Sequence, residues 1–171
     1  MLEWNTQRSS RGAERTPLAV GLLLTLFTIF ALAQHDHHSD VMKHGEEAMG
    51  FSQSTTTHHF LLNTNGGAVQ VTANDAADSA TVQHIQAHLQ QQAAKFKAGD
   101  FSAPELTHSG KPPGTDAMIA RASKITYRYE AMKSGGRLLI ATADPDALRA
   151  IHEFLRFQIK DHQTGDPLTV K

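Results

Sequence analysis

The sequence feature that most constrains the fold is a strand–turn–strand–helix order that occurs twice. The first occurrence covers about residues 56–100 and the second about residues 124–166. In each, strand-forming residues lead to a glycine pair, Gly66-Gly67 or Gly135-Gly136, and then to a second strand segment and a long helical pattern. The order predicts a duplicated ββα unit. The alternative is two unrelated hairpin–helix units with a chance similarity.

Residue periodicity within these segments predicts their secondary structure. Ile125, Tyr127 and Tyr129 alternate with polar residues, the period of a half-buried strand. The glycine pairs are expected to supply the positive φ angles of tight hairpin turns. Two apolar stripes at helical spacing follow the hairpins: Val82, Ile85, Leu89, Ala93 and Phe96 in the first unit, and Leu148, Ile151, Leu155 and Ile159 in the second.

The ends of the two helices carry capping signals. Asp75 or Ser79 is a suitable N-cap for the first helix, and Asp144 before a proline suits the second. Gly99 and Gly165 are the expected helix-ending glycines.

The two hairpins are expected to pair into one four-stranded antiparallel sheet with both helices on one face, an α+β fold. The predicted domain covers 55–171 and follows a flexible, histidine-rich segment, 34–54. Between the units the sequence predicts irregular structure over 101–122, with a short helix near 116–123.

The first 33 residues have the three parts of a secretory signal peptide. Three arginines precede an uncharged run, 18–33, which ends in Ala31-Leu32-Ala33. The run is shorter than the roughly 20 residues of a spanning helix, so cleavage after Ala33 is preferred to an uncleaved anchor. The sequence therefore predicts a periplasmic or secreted protein that begins at Gln34 and has no stable membrane insertion after cleavage.

The composition of the mature chain excludes several functions. Removing three Arg and two Glu from the 16 basic and 17 acidic residues leaves 13 and 15, which gives no electrostatic reason to bind nucleic acid. The chain has no cysteine, which excludes disulfides, thiol catalysis and cysteine-linked lipid anchors.

Histidine is the residue type that points to a function. All 11 histidines follow the predicted cleavage site. Imidazole suits copper and zinc, and a methionine thioether favours Cu(I). The start of the mature chain therefore predicts a low-affinity metal collector, whose histidines are His35, His37, His38 and His44.

A second group of candidate ligands lies in the folded part. His58 and His59 are adjacent in a strand and must face opposite sides of the sheet, so one of them faces the helices. The predicted metal ligands here are His58, His59, His88, His152 and Met49. For each histidine the alternative is a buried neutral ring with a hydrogen bond. Haem held noncovalently by His/His or His/Met ligands also stays open.

Two other classes of function remain as alternatives, and no residue is assigned as catalytic. The first is a non-metal ligand-binding or dimerising module, in which the open sheet face with Arg128 and Glu130 pairs with a second copy or with a partner protein. The second is a small enzyme with a histidine general base near Glu153, Asp161 or Asp166.

Five short blocks carry a resemblance to a known family: Met49-Gly50-Phe51, Thr56-Thr57-His58-His59-Phe60, Ala73-Asn74-Asp75, Pro112-Pro113-Gly114 and HEFLRFQIKDHQTGD at 152–166. Through them the chain resembles a family of small, histidine-rich exported bacterial proteins. Members of this family are often named aspartate carbamoyltransferase. That enzyme has a Ser-Thr-Arg-Thr loop, whereas this chain has Ser54-Thr55-Thr56-Thr57, and the His-Pro-Thr-Gln motif has no counterpart. The resemblance thus implies an exported histidine-rich protein rather than that activity.

Overall fold

The computed structural model describes residues 39–170, and its centre is a four-stranded antiparallel sheet. Strand β1 (Thr56–Asn63) forms a hairpin with β2 (Gly66–Ala73), and β3 (Ile125–Met132) forms a hairpin with β4 (Gly135–Thr142). The second strands of the two hairpins pair with each other, so the order is β1-β2-β4-β3 and the edges are β1 and β3. The predicted α+β class and the antiparallel sheet are confirmed.

Five helices accompany the sheet among the described residues: α1 at 39–49, α2 (Ser79–Lys97), α3 (Ser102–Thr107), α4 (Thr115–Ala120) and α5 (Pro145–Asp161). Helix α2 packs mainly on β3 and β4, whereas α5 packs mainly on β1 and β2. The short helix expected near 116–123 is α4. Helix α3 lies in the stretch that was expected to be irregular. A hairpin followed by a long helix thus occurs twice. That the two ββα segments are copies of one ancestral unit stays a prediction.

The apolar stripes of α2 and α5 form the core against one sheet face. All five residues of the α2 stripe are buried, as are Ile151, Leu155 and Ile159 of α5, whereas Leu148 is only half-buried. They meet sheet residues such as Val71 and Leu138. Each fully buried aliphatic side chain stabilises the fold by about 1.5–3 kcal/mol, which allows a cysteine-free chain to hold together.

The glycine pairs do not form the hairpin turns, in contrast to the sequence prediction. The turns are the two-residue segments 64–65 and 133–134, and each glycine pair begins the following strand. A Cβ on Gly67 would collide with Leu155, and one on Gly136 would lie 3.1 Å from Leu89 Cδ1. The second glycine of each pair is therefore required because a helix approaches the strand closely, a contact that local sequence patterns do not reveal.

Two capping predictions also change. Helix α2 is capped by Asp78, whose side chain accepts from the Thr81 N–H, rather than by Asp75 or Ser79. Helix α5 is capped by Asp144 as predicted, but it ends before Gln163, which adopts the left-handed conformation (φ 53°) expected of Gly165. Thr164 N–H bonds back to Ile159 C=O at 3.2 Å, so the chain leaves the helix two residues earlier than the glycine suggested.

The histidine-rich segment predicted to be flexible contains helix α1 in its described part. Val41 is 1% exposed, and Gln53 Nε2 donates to the Met42 carbonyl at 2.9 Å, which ties α1 to the chain before β1. Within residues 39–170 no helix combines the length and apolar character needed to cross a membrane. The predicted signal peptide, 1–33, lies outside the described residues.

Candidate functional site

A cavity of about 90 Å³ lies on the helix-covered side of the sheet. Strands β1, β2 and β4 form its floor, α2 and α5 form its sides, and residues of α1 and α3 close it. Its walls are mostly apolar, with Phe60, Leu89, Phe96 and Phe154 among them. Its polar groups are His58, His88, His108, His162, Gln92 and Gln158, and Met49 adds a thioether.

Met49 and His58 are in direct contact at the cavity. Met49 stands at the end of α1, and His58 stands on edge strand β1 with its side chain on the helix-covered face. The distance from Met49 Sδ to His58 Nε2 is 3.4 Å. Two of the predicted ligands, which are nine positions apart in the sequence, therefore lie in contact in the folded protein.

Parallel rings hold His58 in this position. The Phe51 ring is stacked with His58 with centroids 6.4 Å apart, and the His162 ring is also stacked with it, at 6.2 Å and with an angle of 5° between the planes. His88, from α2, meets the edge of the Phe51 ring at 5.6 Å. Packing between aromatic faces fixes the ring planes and leaves His58 Nε2 pointing at the sulfur.

Two histidines of the cavity, His58 and His88, are held in their neutral form. Burial, with smaller contributions from His88 and His59, lowers the pKa of His58 to about 4. Burial also lowers the pKa of His88 to about 4, with a contribution from Lys95. A neutral imidazole has a free lone pair, so these rings need not lose a proton before they bind an electrophile.

His108 and His162 are the other two histidines that line the cavity, and neither was among the predicted ligands. His162 lies at the end of α5 with its centroid 5.0 Å from that of His108. His108 Nδ1 lies 2.5 Å from Asp161 Oδ2, and its Nε2 lies 2.9 Å from Gln158 Oε1. Both nitrogens of His108 are therefore engaged, which makes the ring a fixed wall and leaves no lone pair directed at the cavity for base catalysis.

One atom of each of two side-chain amides at the cavity lacks a hydrogen-bond partner within residues 39–170. Gln92 Oε1 on α2 and Gln158 Nε2 on α5 are both buried without a bond. A buried amide atom without a partner costs about 1–3 kcal/mol, and such atoms often mark a place where water or a ligand binds.

The structure places His59 and His152 away from the cavity. His59 faces the other side of the sheet, and its Nδ1 lies 2.9 Å from Asp166 Oδ1, so it fastens the C-terminal segment. His152 Nε2 lies 2.9 Å from the Asn63 carbonyl and 3.0 Å from the Gly66 carbonyl, so it donates across the first hairpin turn. Each of the two rings therefore has its hydrogen-bonding partners outside the cavity.

The N-terminal candidates are less fully described. His44 lies on α1, with its Nδ1 3.3 Å from Ser109 Oγ on the loop after α3. His35, His37 and His38 lie outside the described residues. Among residues 39–170, no three His, Asp or Glu side chains are arranged as a metal-binding group.

The sequence offered His108 and His162 only as possible partners outside the predicted ligand set, and it did not single out the two glutamines, because the placement of all four depends on long-range contacts. His108 meets Asp161 across 53 positions and Gln158 across 50. The one local signal is that Gln158 and His162 are four residues apart, so they share a face of α5.

Comparison with known proteins supplies no relative from which a function could be transferred. No protein-family model matches this chain, and the same holds for curated protein sequences and for solved structures.

Proposed function

We propose that this protein is an exported binding protein for a soft transition metal, with Cu(I) as the preferred ion. The ligands in the folded domain are Met49 and His58, and His88 or His162 supplies a third donor. Support comes from one observation above all, the 3.4 Å contact between Met49 Sδ and His58 Nε2 at the wall of an apolar cavity.

The distance between these two atoms fits a shared metal ion. First-row metals bind imidazole nitrogen at about 2.0 Å and sulfur at about 2.3 Å, and two such bonds that meet at roughly 105° separate the ligand atoms by about 3.4 Å. The pair therefore needs little rearrangement to act as two ligands of one ion.

The chemistry of the donors favours Cu(I) over zinc. A thioether and neutral imidazoles are soft or borderline ligands, and they bring no negative charge into the cavity. A divalent ion would enter this apolar space with two uncompensated charges, whereas Cu(I) brings one. Haem held by His/His or His/Met ligands stays an alternative to a bare ion, and an absorption spectrum of the purified protein distinguishes the two.

The N-terminal histidines have a supporting role in this proposal. His35, His37, His38 and His44 precede the folded ligands in the chain and would collect copper weakly outside the cytoplasm. The folded site would then bind the ion more tightly, because its ligands are already positioned and dehydrated.

The test is a Cu(I) titration of untagged protein recovered from cells that express the full-length chain. Ascorbate keeps the copper reduced, and a coloured Cu(I) chelator competes for it. We expect Met49→Leu and His58→Gln each to weaken the tight site by at least about tenfold, which corresponds to 1.4 kcal/mol.

Matched controls separate the cavity from other methionines and histidines. Met132→Leu changes a half-buried methionine at the end of β3, and His84→Gln changes an exposed histidine one turn before His88. Both should bind Cu(I) as the unmodified protein does. If Met49→Leu and His58→Gln retain full affinity, copper is bound elsewhere and the proposed site is wrong.

A second candidate is a small uncharged organic ligand in the same cavity. The unpartnered Gln92 Oε1 and Gln158 Nε2 favour it, because one acceptor and one donor would face an otherwise apolar ligand. Native mass spectrometry of the metal-free protein distinguishes the two. A bound organic mass that Gln92→Leu removes supports the second candidate, and its absence contradicts it.

A further inference from the structure

The two edge strands of the sheet differ in whether another segment of the chain covers their outward backbone groups. At β1, the Asp166 carboxylate accepts the Phe60 N–H at 2.9 Å, and its other oxygen meets His59 Nδ1 at the same distance. Thr164 Oγ1 donates to Asp166 at 2.7 Å and steadies it. The C-terminal segment therefore covers the β1 edge at its middle.

Strand β3 directs a row of backbone groups away from the sheet. Ala73 N–H donates to the Ser134 carbonyl and Thr142 N–H to the Asn65 carbonyl, so the even-numbered residues of β4 face β2. The odd-numbered residues of β4 then face β3, and they bond to the even-numbered residues of that strand.

The outward row of β3 consists of the N–H and C=O groups of Ile125, Tyr127, Tyr129 and Ala131. Tyr129 has the same place in its hairpin as Phe60, three residues before the last residue of the strand. The Ile125 N–H donates to the Ala122 carbonyl, and within residues 39–170 no hydrogen bond joins the outward groups of Tyr127, Tyr129 and Ala131 to another segment. These uncovered backbone groups at the middle of β3 are a ready template for another strand.

Charges on β3 make the strand complementary to itself. Arg128 and Glu130 lie on the open face, next to the centre of the strand, and Arg128 Nη1 lies 2.7 Å from Glu130 Oε1. When two β3 strands pair antiparallel about a twofold axis at Tyr129, each Arg128 stands opposite Glu130 of the second copy. Opposite charges in directly facing positions stabilise an antiparallel pair, whereas like charges destabilise it.

The same charges disfavour the neighbouring registers. In one neighbouring register the twofold axis lies at Arg128, so Arg128 stands opposite Arg128 of the second copy. In the other it lies at Glu130, so Glu130 stands opposite Glu130. The backbone hydrogen bonds therefore allow several registers, and the charges favour the one centred on Tyr129.

We propose that a second copy of this chain pairs with the β3 edge, so that two four-stranded sheets become one continuous eight-stranded sheet. The Tyr127, Tyr129 and Ala131 backbones form the new ladder, and the two Arg128–Glu130 pairs set its register. This assembly is independent of metal binding, because the cavity lies toward the opposite edge of the sheet, with β1 and β2 in its floor and no residue of β3 in its lining.

Sedimentation velocity from about 1 to 100 µM provides the test, again with untagged protein from the full-length chain. The unmodified protein should dimerise within this range. Arg128→Glu and Glu130→Arg should each weaken the dimer at least tenfold, because each places like charges opposite one another. An equimolar mixture of the two variants should form a heterodimer, since every facing pair is then of opposite sign.

A backbone variant tests the ladder without involving the charges. Ala131 is exposed and its N–H points outward, so Ala131→Pro should abolish the dimer yet leave the bonds to β4 intact. Ala131→Val, which keeps the N–H, should still dimerise. The proposal is overturned if the unmodified protein stays monomeric throughout, if the mixed variants do not associate, or if Ala131→Pro dimerises normally.

Discussion

At the scale of single residues, the histidines of the cavity differ in whether their ring nitrogens are bonded to oxygen atoms of the protein. His58 and His88 are half-buried and neutral, and His58 Nε2 contacts only the Met49 sulfur, whereas His108 is bonded to oxygen at both nitrogens. In the proposed site, the rings that make no bond to oxygen supply the donor atoms, and the doubly bonded His108 ring forms a fixed part of the cavity wall.

The lowered pKa values predict how stability depends on pH. Because the pKa of His58 and of His88 is about 4 in the folded protein and about 6.5 in the unfolded chain, the unfolded state binds more protons between these values. The free energy of unfolding should be highest above pH 6.5 and should fall toward pH 4, by at most about 1.4 kcal/mol per pH unit for each histidine.

Urea unfolding of metal-free protein, in chelator, at several pH values between 4 and 7.5 measures this slope. His58→Gln should reduce the slope, whereas His84→Gln should leave it unchanged because that histidine is exposed. An equal slope in His58→Gln would contradict the assignment of the acid sensitivity to the cavity.

Gly67 illustrates a single residue whose importance is steric. Gly67→Ala should destabilise the protein by about 1–3 kcal/mol, because the added methyl group meets Leu155 Cδ1 and the Leu61 carbonyl. Gly110→Ala is the matched control, since nothing lies within 4 Å of the new Cβ. Chemical denaturation of both variants tests this, and equal midpoints would refute the close approach of α5.

At the scale of elements, the short C-terminal segment has a structural task that its sequence does not suggest. Asp166 accepts hydrogen bonds from Thr164, the Phe60 N–H and His59, and together they lower the pKa of this carboxyl although burial alone would raise it. The C-terminal segment thus covers the middle of the β1 edge, whose outward backbone groups would otherwise be as open to another strand as those of β3.

Asp166→Ala should expose the β1 edge. We expect a loss of about 1–3 kcal/mol and faster hydrogen exchange at the Phe60 amide, because its acceptor is removed. Asp116→Ala, which removes an exposed carboxylate paired with Lys111, should cost much less and leave exchange at Phe60 unchanged. Unchanged exchange at Phe60 would show that the segment does not hold this edge.

At the scale of the whole molecule, the chain combines a predicted export signal with a domain in which the proposed ligands Met49, His58 and His88 line one cavity. The expected mature protein starts at Gln34, so mass spectrometry of material from outside the cytoplasm should give the mass of residues 34–171. Recovery of the uncleaved chain in the membrane fraction would instead favour the anchor alternative.

Local sequence patterns were enough for the four strands, the two long helices and their layers, but not for α1 and α3. Alternation in β3 and the stripe from Val82 to Phe96 depend only on which residues recur at period 2 or 3.6, so they predict strands, helices and buried faces. Capping and turns were less certain, because Asp75 and Asp78 are equivalent locally and only the exact path of the chain selects one of them.

The candidate site was predictable in part. His58, His88 and Met49 were selected by residue type and by their place beside apolar stripes. His152 has the same local features but donates to the turn carbonyls of the first hairpin instead. The difference lies in which part of the sheet α5 crosses, and no local pattern records it.

By itself, the sequence determined the α+β class, the two buried stripes and the supply of soft, cysteine-free donors, because these depend on composition and short periodicities. Only the tertiary structure decided which histidines share the cavity, which one is fixed by Asp161 and Gln158, and which strand edge remains open. Those outcomes depend on contacts between segments up to about 100 positions apart, such as Phe60 with Asp166, and such contacts form only when the helices pack on the sheet.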